Sequence, residues 1–218
     1  MSPLPSAIVL SAALAIASGI AALPAWVLFV AKPLTTALLC AFAWARGQDE
    51  PRARRFVLIG LGFSLAGDVF LLWPTRGFLP GLVAFLLAHL AYIAAFSTKL
   101  RFFARRLPFA SYAAVAGAIL AALWPGVPPG LRVPVVLYVL CLASMAAQAA
   151  AVWRAARGSS DEVPARCGAI GGALFVASDA LLAINKFAAP VPLSALWILT
   201  TYWLAQWFIA TSLRRGHG

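Results

Sequence analysis

Acidic side chains are nearly missing from this sequence. Its 218 residues hold six Asp and Glu against 17 Lys and Arg. Charged residues of either sign make up only 11% of the chain, where a soluble globular protein carries about a quarter. That shortage excludes an ordinary soluble domain, and the polar connections are too short to hold one. Cysteine is also scarce. Cys40, Cys141 and Cys167 lie in apolar context without metal-ligand spacing, so they read as buried thiols, not as a disulfide framework or a metal site. No G-x-S-x-G, P-loop, H-E-x-x-H or Cys/His cluster is present, and no metal is expected. A basic n-region is missing too, because the first basic side chain is Lys32. The opening stretch therefore reads as a retained first helix, not a removable signal.

Apolar residues fill the space those absences leave. They make up 63% of the chain, in runs of about 20 residues, each long enough to cross the hydrocarbon as a helix. Strict alternation over ten-residue segments, the mark of a membrane β-barrel, does not occur. The fold class is all-α: a polytopic membrane protein of eight transmembrane helices, forming one integral membrane domain over residues 1–218. The spans fall roughly at 4–22, 25–45, 56–73, 78–97, 108–124, 131–153, 166–187 and 192–213. Pro24, Pro74–Gly77, Pro125–Gly130 and Pro190–Pro192 punctuate the turns.

The net charge of +11 raises a nucleic-acid reading, which the distribution of charge rejects. Basic residues lie between apolar runs, as an orientation signal does. With eight spans, Arg46, Arg52, Arg54, Arg55, Lys99, Arg101, Arg105, Arg106, Arg154, Arg157, Arg166, Arg214 and Arg215 share one side, and only Arg76 and Arg132 the other. That 13-to-2 bias puts both termini in the cytoplasm. Short loops and an arginine-rich, lysine-poor composition favour a bacterial inner membrane.

Polar groups inside the spans point to function. Asp68 and Asp179 are the only carboxyls there, and each follows an arginine, Arg55 or Arg166, by 13 residues. The runs Phe63-Ser64-Leu65-Ala66-Gly67-Asp68 and Leu174-Phe175-Val176-Ala177-Ser178-Asp179 align. Both acids thus lie about 20 Å from the arginine end of helices pointing the same way. This is a parallel four-plus-four internal repeat or a coincidence of an apolar, low-complexity chain. A mid-membrane acid costs about 2.5–3.5 kcal/mol on insertion, which makes the pair a candidate catalytic dyad. Lys32 precedes Pro33, which leaves the Phe29 carbonyl without a donor. Lys32 is either a phosphate-binding cation or a side chain that snorkels outward. Lys186, with Asn185 beside it, lies two turns beyond Asp179 and is either a ligand or a span-end anchor. His89 and Tyr92 share one helix face, as do Tyr202 and Gln206, and these four can orient water or substrate hydroxyls or simply join helices. Gly60, Ser64 and Gly67, and Gly168, Gly171 and Gly172, are small faces suited to helix packing.

Five runs in order carry a resemblance: Lys32-Pro33-Leu34-Thr35, Gly62 to Asp68, Phe85 to Tyr92, Gly172 to Asp179, and Tyr202-Trp203-Leu204-Ala205-Gln206. They resemble the YhhN/TMEM86 family of lysoplasmalogenase-like membrane proteins. The likeness covers spans two to four and seven to eight. The resemblance implies an eight-span enzyme that hydrolyses the vinyl ether of lysoplasmalogens to a fatty aldehyde and a glycerophospho-base. Its partners would be the lysophospholipid substrate and membrane lipids, with no nucleic acid. Vinyl ether cleavage needs a proton donor and a nearby anion, as glycoside hydrolysis does. Asp68 and Asp179 fit that need without metal or organic cofactor. Lys32 and Lys186 would hold the phosphate, with His89, Tyr92, Tyr202 and Gln206 orienting water and glycerol. The alternative is a small-solute or proton-coupled transporter, which also uses acids and repeats within the membrane.

Overall fold

The computed structural model describes residues 3–21, 23–73 and 75–214. Among them are eight α-helices, one for each expected span: α1 (Leu4–Ile20), α2 (Ala25–Trp44), α3 (Pro51–Phe70), α4 (Phe78–Ser97), α5 (Arg106–Leu123), α6 (Arg132–Ala156), α7 (Glu162–Phe187) and α8 (Ser194–Thr211). Among the described residues there is no strand. Five helices, α2, α4, α5, α6 and α7, are long and apolar enough to cross a membrane. α1 is apolar but has 17 residues.

Boundaries differ from the hydropathy reading where local chemistry intervenes. α3 starts at Pro51, ahead of the expected 56, because proline is pre-set for the first helical position. Its arginine-bearing first turns extend past the apolar body. α8 starts at Ser194, later than the expected 192, because Leu193 takes a left-handed conformation (φ 53°) and redirects the chain. Ala22, Pro74 and Arg215, assigned to spans or connections above, lie outside the described residues.

Neighbour relations build a ring. α2 packs on α3, α3 on α4, α4 on α6, α6 on α7, α7 on α8, and α8 returns to α2. α1 and α5 lie outside the ring against α2 and α6. Advancing each label by four maps the ring onto itself, so the packing carries the four-plus-four pattern. The outer helices break it, since α1 also touches α8 whereas α5 touches α7. Small faces permit the closest contacts. A Cβ on Gly60 would come within 2.3 Å of the Tyr92 ring, and one on Gly171 within 2.8 Å of the Ala205 carbonyl oxygen. α3 against α4 and α7 against α8 thus use the same device.

One end of the ring is clasped by charge. Lys99 Nζ lies 3.0 Å from Glu50 Oε2 and donates to the Ser212 carbonyl at 3.1 Å. Arg214 pairs with Glu50 and Asp161, while Arg46 donates to the Thr211 and Leu213 carbonyls. Connections α2–α3, α4–α5 and α6–α7 and the end of α8 therefore meet on one face, here called the clasp end. An even number of crossings requires this.

Candidate active site

Asp68 lies two residues before the end of α3. Leu71 N bonds to the Gly67 carbonyl and Leu72 N to that of Val69, so the Asp68 carbonyl receives no main-chain donor from this turn. Such orphan carbonyls at a helix end need another partner. Lys32 Nζ supplies it at 3.4 Å and stands 3.6 Å from the Asp68 carboxylate Oδ1. Thr36, one turn along α2, donates to Oδ2 at 2.6 Å, and Tyr202 of α8 donates to the same oxygen at 2.8 Å. Trp203 Nε1 in turn donates to Thr36 at 3.2 Å. The side chain of Asp68 is 1% exposed. Lys32 does not snorkel outward; it is the counter-charge of this acid.

Asp179 stands at the corresponding place on α7. Tyr138 of α6 donates to its Oδ2 in a short hydrogen bond. His89 of α4 brings Nε2 3.0 Å from the Tyr138 hydroxyl and 3.7 Å from that carboxylate oxygen. Asp68 is thus held from α2 and α8, and Asp179 from α6 and α4, which is the relabelling that the ring obeys. His89 follows Asp68 by 21 residues and Tyr202 follows Asp179 by 23. Among the described residues no side chain bonds to both acids. The Phe175 ring links the two clusters, 4.6 Å from the His89 ring and 5.6 Å from that of Tyr202.

One turn toward the clasp end, Tyr92 donates to Gln206 Oε1 at 2.6 Å. Gln206 Nε2 and His89 Nδ1 are buried without a protein partner, so both remain available to water or a ligand hydroxyl. The two outer candidates stand apart from this centre. Asn185 accepts from Val191 N at 2.9 Å and closes the α7–α8 turn. Lys186 is exposed, with Nζ 4.1 Å over the Phe78 ring. Sequence reasoning passed over Tyr138, Trp203 and the role of Thr36 toward Asp68. For Thr36 a signal existed, since it lies one turn from Lys32.

The two acids face different surroundings. Asp179, with its side chain 14% exposed, and Tyr138 line an apolar cavity between α4, α5, α6 and α7. Leu82, Leu123, Val139, Val176 and Phe187 are among its walls. Asp68 does not reach it.

The fold and the site define an integral membrane protein with a buried acid–hydroxyl centre opening onto an apolar cavity. The chain belongs to the YhhN family, whose model matches residues 27–213. It is 34% identical over 196 residues to lysoplasmalogenase TMEM86A of Homo sapiens, covering 87% of this chain and 79% of that protein. It is 36% identical over 193 residues to lysoplasmalogenase TMEM86B of Sus scrofa, covering 87% and 76%. A lysoplasmalogenase of Mycobacterium tuberculosis is 31% identical over 143 residues, covering 62% and 51%. No solved structure matches the chain.

Proposed function

We propose that this protein is a membrane-embedded lysoplasmalogenase that hydrolyses the vinyl ether of lysoplasmalogens to a fatty aldehyde and a glycerophospho-base. One observation carries the reading: Asp179, bonded by Tyr138 and flanked by His89, is the carboxyl at the wall of an apolar cavity. The names of the relatives supply the substrate class. In its protonated form Asp179 delivers a proton to the β-carbon of the vinyl ether, and the double-bond electrons form the new C–H bond. The resulting oxocarbenium ion faces the Asp179 carboxylate, which then takes a proton from the attacking water. The hemiacetal so formed collapses to aldehyde and free glycerol hydroxyl. Gln206 Nε2 donates to that water or to a glycerol hydroxyl, and His89 Nδ1 donates or accepts according to its tautomer. Asp68 acts as a positioning residue through Tyr202, whose ring lies 5.7 Å from Phe85 and 5.6 Å from Phe175. With Lys32 engaged by Asp68, Lys186 is the cation placed to hold the phosphate.

The reading includes one eight-span membrane domain with both termini in the cytoplasm of a bacterial inner membrane, on the strength of the 13-to-2 basic bias. The clasp end is then cytoplasmic. Incubating the purified protein in detergent with a lysoplasmalogen tests the activity. Aldehyde release without any membrane gradient is expected, and its absence from folded protein would overturn the proposal.

A further inference from the structure

A second apolar groove runs along the other side of the α5–α6 contact. It extends from Leu120 past Gly117 and Ala113 to Phe109 and Phe103, near the clasp end. Ala116, Leu120, Val139 and Ala143 line both this groove and the cavity that holds Asp179. Only those four side chains, two of them alanines, are common to both, so the two spaces adjoin at the α5–α6 seam. α5 itself is loosely held, with Pro108 and Leu123 its only buried residues. The groove's α5 side, from Arg106 to Leu120, is about 21 Å long at helical rise. At its clasp end the groove is lined by Arg106, Phe103 and Phe109, the two rings 4.7 Å apart.

The opposite direction is short and ends in charge. Lys186 stands seven residues beyond Asp179 on α7, about 10 Å along the axis. The Phe78 and Phe187 rings meet edge to face there at 5.9 Å and line that end of the cavity, a shorter reach than the groove's. A lysoplasmalogen has its scissile bond at the junction of hydrocarbon and glycerophosphate. Asp179 is the matching junction in the protein, between a nearby cation and a long apolar groove.

We infer that the substrate lies with its phosphate at Lys186, its vinyl ether at Asp179, and its alkenyl chain along the α5–α6 seam toward Phe103 and Phe109. The seam therefore selects chain length, and the lipid keeps the orientation it has in the outer leaflet. This rests on the lysoplasmalogenase reading.

Gly117 offers the test, since a Cβ there meets nothing within 4 Å. Gly117→Leu adds bulk to the groove wall from a position whose Cβ meets no neighbour. The measurement is aldehyde release from hexadecenyl and octenyl lysoplasmalogens. The hexadecenyl-to-octenyl rate ratio is expected to fall about tenfold, the low end of what misfit in an apolar pocket costs. Ala183→Phe, in the cavity wall toward Lys186, is the counterpart. If Ala183→Phe lowers the ratio and Gly117→Leu leaves it at the wild-type value, the chain runs the other way and the inference is wrong. An unchanged ratio in both variants overturns it equally. A readout independent of turnover uses a saturated lyso-ether lipid with a diazirine at the chain terminus. Photolabelling within residues 102–113 is expected, and labelling at Phe78 or Phe187 would overturn the placement. If wild-type protein releases no aldehyde from either substrate, the hydrolase reading fails while the photolabel still decides where the chain lies.

Discussion

Asp68 and Asp179 occupy corresponding places in the two halves of the ring, yet their surroundings have diverged. Asp68 receives a cation and two hydroxyl donors and is sealed at 1% exposure. Asp179 has one hydroxyl donor and a histidine, and it opens onto a cavity. On the proposed mechanism the sealed acid is a structural anchor and the open acid is the reactive group. The difference lies in what the flanking helices contribute: α2 brings Lys32 where α6 brings Tyr138.

The largest effect should come from the open acid. Asp179→Asn is expected to lower kcat by about 10²–10⁴-fold, the range of general acid–base catalysis, with thermal stability in detergent unchanged. The comparison breaks if Asp179→Asn melts early and Asp68→Asn does not.

Asp68→Asn should instead destabilise, because it leaves Lys32 buried without its counter-charge; breaking such a pair costs about 3–5 kcal/mol. Lys32→Met in the same chain should return much of the melting temperature, and a double-mutant thermal series measures the recovery. No recovery would mean that Lys32 does not act mainly as the partner of Asp68.

Tyr138→Phe is expected to cost about tenfold in rate, less than loss of the acid itself, since it removes one hydrogen bond to a charged group. Steady-state turnover of the folded variant in detergent checks it. A wild-type rate would remove Tyr138 from the chemistry of the acid.

The smallest effect belongs to Lys186→Ala, which should raise KM a few-fold and leave kcat alone, as expected for uniform binding of a remote phosphate. Steady-state kinetics checks it, and a drop in kcat with unchanged KM would place the lysine elsewhere in the reaction.

Helix number and order were legible because each span is an apolar run closed by proline, glycine or arginine. The arginine-to-aspartate spacing pointed to a four-plus-four pattern, and the packing of the ring follows the same pattern. What the sequence left open was pairing across the ring. Two carboxyls and two lysines allow several ion pairs, and only the register of α2 against α3 selects Lys32 with Asp68. Tyr138 was illegible for a related reason. α6 is apolar on both sides of Tyr138, from Val133 to Ala143, and a tyrosine there reads as packing until α7 places Asp179 beside it. Asn185 drew notice because it neighbours Lys186, and its Oδ1 accepts from Val191 N in the α7–α8 turn.

The Lys32–Asp68 pair bears on how the protein is made. A lysine or an aspartate at the middle of a lone helix costs about 2.5–3.5 kcal/mol to insert. α2 and α3 are consecutive, so each supplies the other's partner within one helical hairpin as the chain emerges. Tyr138 and Asp179 are likewise carried on consecutive helices, α6 and α7. Each half therefore brings its acid into the bilayer already matched, and neither hairpin has to wait for the other half to be synthesised.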